Sequence, residues 1–249
     1  MNNINPTVMN MIYAKLREEN DKNREEHVKS GKLSASQLGN PTQWQVLSAL
    51  KVESKEVDLY TLGKFKRGNE VEDFVVRTLE KEIYNTQVEC SYRDCIGYLD
   101  TELYGEEFGV GYLPMEIKSV TNANFKWKLR SGEAQRNHKL QAGLYALALN
   151  QPKYSVLYVA SDDYRVLHLI YDTKDIKDEV DMIIDLFNET MESETIPVYA
   201  PIETWQDMEK KDKKGFFVNH KYNNYLDWWR LTESQLKLKA QKLFKEYHK

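Results

Sequence analysis

Residues 97 to 118 constrain this chain most. Gly97-Tyr98-Leu99-Asp100 is followed, after a turn rich in Gly and Glu, by Pro114-Met115-Glu116-Ile117-Lys118. Side chains alternate along an extended strand, so Glu116 and Lys118 share one face while Met115 and Ile117 share the other. Paired with Gly97 to Thr101 in a hairpin, that strand brings Asp100 to the same side, and two carboxylates and an ammonium converge. The arrangement suits metal-assisted hydrolysis of a phosphodiester. A bare Glu-x-Lys triplet is common on solvated strands, so the flanking residues decide its weight.

The flanks carry two anomalies. At 100° per residue, the spacing predicts a helix over Arg67 to Tyr84 with Val71, Val75, Val76, Leu79 and Ile83 on one apolar arc, and Glu72 falls inside that arc. A carboxylate aimed at a core needs an ion pair or a metal. Residues 135 to 150 predict a core helix, apolar nearly all round from Leu140, in which Gln141 and Tyr145 lie four apart on one face. A buried glutamine requires a hydrogen-bond partner, which a loop backbone or a site could supply. His138, one turn earlier, reads as a surface or helix-start residue.

The rest of the chain reads as a frame for this centre. Residues 7 to 29 predict a helix with Val8, Met11, Ile12 and Leu16 on one side. Ser34 and Ser36 are placed to cap a helix that carries Trp44, Val46, Leu47 and Leu50. Gln87 to Tyr104 and Phe108 to Val120 predict two long strands, with Pro114 marking a distorted or edge position. Tyr154 to Ala160 and Arg165 to Tyr171 predict a second strand pair, followed by an amphipathic helix over Asp175 to Glu192. From Ser193 the composition shifts to an irregular, partly aromatic stretch, with a solvated run at Lys210 to Lys214 and a last helix over Ser234 to Tyr247. The expected organisation is an N-terminal helical arm (1–32), a core (33–192) and a C-terminal covering segment (193–249) within one structural domain.

Composition narrows the function. With 249 residues, 41% of them hydrophobic, the chain can bury one substantial core. Its apolar runs are too short to span a membrane, and its first residues show no secretory signal. Two cysteines, Cys90 and Cys95, make neither a disulfide framework nor a four-cysteine metal site, so a reducing, cytoplasmic setting is expected. The formal net charge of -4 excludes a surface coated in phosphate-binding charge but not a local basic track. Lys64, Lys66 and Arg67 form one basic cluster. Lys126, Lys128, Arg130, Arg136 and Lys139 form a longer one, interleaved with Phe125 and Trp127. Each fits a solvated surface as well as a phosphate track.

A helix with a buried Glu, Gly-Tyr-Leu-Asp, Glu-Ile-Lys, then Gln-x-x-x-Tyr: in that order the motifs resemble the PD-(D/E)XK nuclease superfamily, most closely its RecB-like exonuclease branch, over Leu33 to Tyr171. The resemblance implies an α/β, restriction-endonuclease-like core with a central mixed sheet flanked by helices. It implies metal binding by Glu72, Asp100, Glu116 and the main-chain carbonyl of Ile117. Lys118 would orient or activate the attacking water, and Gln141 and Tyr145 would stand on the substrate side, with Lys126, Lys128, Arg130 and Arg136 as further DNA contacts. Two features depart from the branch: Glu72 stands where a metal-binding His is common, and no cysteine follows Cys95, so no iron-sulfur cluster is expected, aromatic packing around Val218 to Tyr225 taking its place.

Three crowded carboxylates repel one another by a few kcal/mol per pair at an effective dielectric of about 20, so they need cations. Oxygen ligands favour Mg²⁺ or Mn²⁺ over zinc. The expected activity is a metal-dependent DNase, exonucleolytic or flap- and single-strand-processing, serving replication, recombination or repair in a bacterial or phage-infected cell. Its partner is DNA, single-stranded or at duplex ends, with a replication or recombination protein as a possible second. The rival is a catalytically silent DNA-binding or scaffold subunit with the same fold.

Overall fold

The computed structural model describes residues 6–26, 31–54, 56–197, 225, 228 and 231–248. Seven α-helices and six strands alternate along them: α1 (Pro6–Glu26), β1 (Leu33–Ser34), α2 (Thr42–Ala49), α3 (Leu59–Thr78), β2 (Ile83–Tyr92), β3 (Cys95–Tyr104), β4 (Tyr112–Val120), α4 (Asn122–Ser131), α5 (Arg136–Ala148), β5 (Lys153–Ala160), β6 (Val166–Asp172), α6 (Lys174–Glu192) and α7 (Glu233–Tyr247). The strands form one mixed sheet with a helical layer on each face. β4 and β5 run parallel, as the intervening α4 and α5 require, and β6 returns antiparallel to β5.

Alternation along β5 separates two cores. Tyr154, Val156, Tyr158 and Ala160 pack with Leu140, Leu144 and Tyr145 of α5, and with Val180, Ile184 and Phe187 of α6. Leu157 and Val159 join Met115 and Ile117 of β4 and Val71 and Val75 of α3. Because Ile117 belongs to the α3 side, Glu116 and Lys118 point toward α5. The larger core also takes in Ile196, Tyr225, Leu236, Ala240 and Phe244, which fastens α7 to the body.

β3 shapes the centre of the sheet. Along one edge it pairs with β2 from Cys95 opposite Tyr92 to Leu103 opposite Ile83, skipping Asp100 and Gln87, the latter at φ 50, and with an irregularity between Ile83 and Asn85. Its other edge is shared: β1 takes Cys95 and Ile96, and β4 takes Thr101 to Tyr104. Gly97-Tyr98-Leu99-Asp100 is the window left between them. β4 changes partner at the same place, leaving β3 after Met115 and running on with β5 to Val120. Leu99 packs in the α5 core and Leu103 in the α3 core, so side chains of one parity pass from one core to the other across Asp100.

Several boundaries differ from the sequence expectation. The helix expected over Arg67 to Tyr84 begins eight residues earlier, where the Asp58 side chain accepts from the Thr61 N–H at 2.8 Å, and ends at Thr78; Ile83 and Tyr84 are strand. The single strand expected over Gln87 to Tyr104 is a hairpin that reverses at Arg93-Asp94, with Arg93 at φ 51. No glycine announces that turn; Arg93 is held there by Asp181 and Asp185 of α6. Pro114 lies in an interior strand, opposite Glu102, with its carbonyl accepting from Ser155 Oγ at 3.3 Å. Ser34 and Ser36 bond to each other at 3.0 Å and cap no helix. Val8, Met11 and Ile12 of α1 are exposed, and α4 and β1 have no counterpart in the expected elements. The Lys210 to Lys214 run and, apart from Tyr225, the Val218 to Tyr225 stretch lie outside the described residues.

Gly97 is required by a close approach. A Cβ there would meet Ala35 Cβ at 2.7 Å and Tyr145 Cε1 and Oη at 2.9 Å. Gly97→Ala is expected to destabilise by about 1–3 kcal/mol through overpacking. Gly63→Ala, in the middle of α3 with nothing within 4 Å of its Cβ, should gain roughly 0.5–1 kcal/mol. Urea denaturation of the two variants checks the contrast in sign.

Candidate active site

The window in β3 is closed by a side chain. Where the next ladder bond would form, the Ile117 N–H donates to Asp100 Oδ2 at 2.7 Å. That hydrogen bond and Lys118 favour the ionised form of Asp100, but burial dominates and raises its pKa above the usual value. One residue along β4, Glu116 is 1% exposed. Its Oε1 is ion-paired to Lys118 Nζ, and its Oε2 is buried with no hydrogen-bond partner. Burial pushes Glu116 up to about 8 against the pull of Lys118. Burial pulls Lys118 down, but Glu116, Asp100 and Glu72 together keep it raised and charged. The expected convergence of Asp100, Glu116 and Lys118 is therefore present.

Glu72 is placed differently from the expectation. It does not enter the core; it is half-buried on the face of α3 turned toward the window, and its Oε1 accepts from Gln87 Nε2 at 2.6 Å. Burial and the nearby Asp100 push it up to about 7. Between α3 and the β4–α4 junction lies a cleft of about 460 Å³, lined by Lys64, Arg67, Asn69 and Glu72 on one side and by Lys118 and Asn124 on the other, with Asp100 in its floor. Lys64 and Arg67 were legible only as a charged run; helical spacing with Gly68 and Glu72 carries them to the cleft wall.

Among the described residues no three acidic, histidine or cysteine side chains form a complete metal cage. The donors present are nonetheless those a hard cation uses: two carboxylates at an open edge, one with an orphaned buried oxygen. The chemistry of these donors fits a divalent ion, which Asp100 and Glu116 would hold.

On α5, Gln141 is half-buried rather than buried, and it donates to Tyr145 Oη at 3.1 Å, so its partner is the tyrosine one turn on. Tyr145 is 2% exposed, and Glu116 and Asp100 lie close enough to add to the effect of burial in raising its pKa. His138 is no surface residue: it is half-buried and bonded to Tyr158 Oη at 2.8 Å. The basic cluster divides. Lys126 and Arg130 are exposed on α4 beside Trp127, which is 60% exposed. Lys128 turns inward, 1% exposed, with its ammonium 4.2 Å from the centre of the Tyr158 ring and no hydrogen-bond partner. Arg136 is ion-paired to Glu179 of α6.

By sequence the chain matches no protein-family model and no curated protein. In three dimensions it has the restriction-endonuclease-like fold of the PD-(D/E)XK nucleases. It is similar to LHK-Exo, an alkaline exonuclease from Laribacter hongkongensis, with a TM-score of 0.52 at 13% identity over 66% of this chain and 89% of that one. The complex of LHK-Exo with dAMP aligns with a TM-score of 0.52 at 14% identity, over 67% of this chain and 90% of that one.

Glu72 and Glu116 hold protons in the folded chain at pH values where unfolded carboxyls, near 4.5, have lost them. Stability therefore falls as pH rises from about 4.5 through about 7 and about 8. In EDTA the chain is expected to melt at a lower temperature at pH 8 than at pH 5. Mg²⁺ or Mn²⁺, which binds the ionised carboxylates, should raise the melting temperature more at pH 8. Glu116→Gln should flatten the pH dependence and remove most of the ion effect in the same melting series.

Proposed function

We propose that this chain is a metal-dependent deoxyribonuclease that hydrolyses phosphodiester bonds from DNA ends or single strands. The observation that carries the proposal is the buried Glu116 with its unpartnered Oε2, ion-paired to Lys118 and set beside Asp100, where one edge of β3 is taken by neither β1 nor β4. Without a cation that arrangement costs stability; with one it is a reaction centre. The resemblance in fold to an alkaline exonuclease supports exonuclease over site-specific endonuclease.

The residues take the following roles. Asp100 and Glu116 hold a Mg²⁺ or Mn²⁺ ion. The Ile117 carbonyl is a further ligand, because a strand residue's C=O faces the same edge as its N–H, and here that edge is the window. When bound, the ion lowers the pKa of a water and offsets charge on the phosphate oxygens. Lys118, partly exposed at the cleft wall and anchored by Glu116, holds the attacking water and favours its deprotonation. Glu72, close to Asp100, adds negative charge toward a second ion position. Gln141 and Tyr145 brace the α5 side of the centre, and the cleft-lining Lys64 and Arg67, with Lys126 and Arg130 on α4, supply contacts to the DNA backbone. Lys128, turned inward, and Arg136, paired with Glu179, are not free for that purpose in this conformation. The proposed setting is replication, recombination or repair, alongside a partner protein of one of those processes.

End-labelled linear, circular and single-stranded DNA should be tested with Mg²⁺ and with Mn²⁺. Linear and single-stranded DNA should be degraded while closed circles survive. Glu116→Ala and Lys118→Ala should each lower the rate by about 10²–10⁴-fold. Equal rates in wild type and both variants would sink the assignment.

A further inference from the structure

The sheet face that carries Lys118 continues into a second group of polar side chains. Tyr158 of β5 stands opposite Lys118 in the parallel register, and it is fully buried. Its hydroxyl oxygen accepts from the Gln135 N–H at 3.0 Å and lies 2.8 Å from His138 Nδ1. No other acceptor reaches the hydroxyl proton among the described residues, and a buried hydroxyl is not left without one. The proton therefore goes to Nδ1, which makes that nitrogen the acceptor and leaves the ring proton on Nε2. Nε2 has no partner among the described residues and keeps access to solvent.

The surroundings keep this ring neutral. Burial comes first, then the charges of Lys118 on β4 and Lys128 on α4, and together they push His138 down to about 3. The ammonium of Lys128 rests on the Tyr158 ring with no acceptor of its own. Along α5, His138, Gln141 and Tyr145 are spaced to lie on one stripe, and that stripe faces the sheet.

We propose that His138 is a tautomer-locked, uncharged donor whose Nε2–H contacts a phosphate oxygen of the nucleic-acid backbone beside Lys118, with Tyr158 as its positioning residue. The inference rests on the nuclease reading above. An uncharged donor holds a phosphate oxygen without repelling Lys118, which an imidazolium would do.

Imidazole nitrogen NMR on the full chain should find His138 neutral with its proton on Nε2 from pH 5 to 9. In Tyr158→Phe the tautomer preference should be lost. On single-stranded DNA, His138→Ala should lower kcat/KM by about 10- to 100-fold, as loss of a hydrogen bond to a charged group does. His138→Gln, whose amide N–H reaches the same position, should recover most of that loss at an unchanged melting temperature. A wild-type ring protonated on Nδ1, or titrating near pH 6.5, overturns the proposal. So does His138→Gln as impaired as His138→Ala, or His138→Ala at full activity while Lys118→Ala is dead. A wild-type protein inactive on every DNA overturns the nuclease reading instead, and the NMR result still decides the lock.

Discussion

The hydrogen bond from the Ile117 N–H to Asp100 is the contact on which the rest of the site depends. A strand amide facing another strand must find an acceptor, and the usual one is a backbone carbonyl. Here a carboxylate takes that place, the β3–β4 ladder stops at Thr101 and Met115, and the strands part. The separation exposes the β4 edge at Ile117 and brings Asp100, Glu116 and Lys118 around one small volume. The Asp100 carboxylate thus does for the ladder what a capping side chain does for a helix: it accepts from a main-chain amide and ends a regular element at a defined residue.

The parting is held from both sides. On one edge, pairing with β2 on either side of Asp100, at Leu99 and at Thr101, holds β3 in place along the window. On the other, β1 occupies Cys95 and Ile96, and the turn that follows it brings Ala35 against Gly97. Tyr145 enters the same space from α5, which is why residue 97 has no side chain. Glu116 then sits at the base of the gap, sealed from solvent, with Lys118 as the one cation bonded to it among the described residues. A buried carboxylate with one oxygen unpartnered is unstable by itself, and a cation bound there would relieve that instability.

Much of this was legible in the order of residues, because alternation in a strand and spacing in a helix are local. Glu116 and Lys118 share a face by parity, and Gln141 meets Tyr145 because four residues return a helix to the same side. Glu72 was legible as an anomaly, but its arc was drawn on a helix whose ends were misjudged, and its partner Gln87 lies on a strand that periodicity does not relate to it. His138 does stand at the start of α5, but its inward contact and that of Lys128 were not legible, for a related reason. Each is buried by Tyr158, a residue 20 or more positions away, and no local pattern reports a contact of that separation.

What the sequence by itself determined is the set of chemical groups and the side of each element on which they stand: two carboxylates and a lysine on one strand pair, a glutamine and a tyrosine on one helix. What only the tertiary structure decided is where that strand pair opens, that β1 and β4 divide one edge of β3 between them, and that α3 and α5 approach the opening from opposite faces. The reason is physical. Parity and helical spacing follow from backbone geometry within a few residues, whereas the window at Gly97 to Asp100 exists because two segments far apart in the chain, Leu33-Ser34 of β1 and Tyr112 to Met115 of β4, take different parts of the same edge of β3.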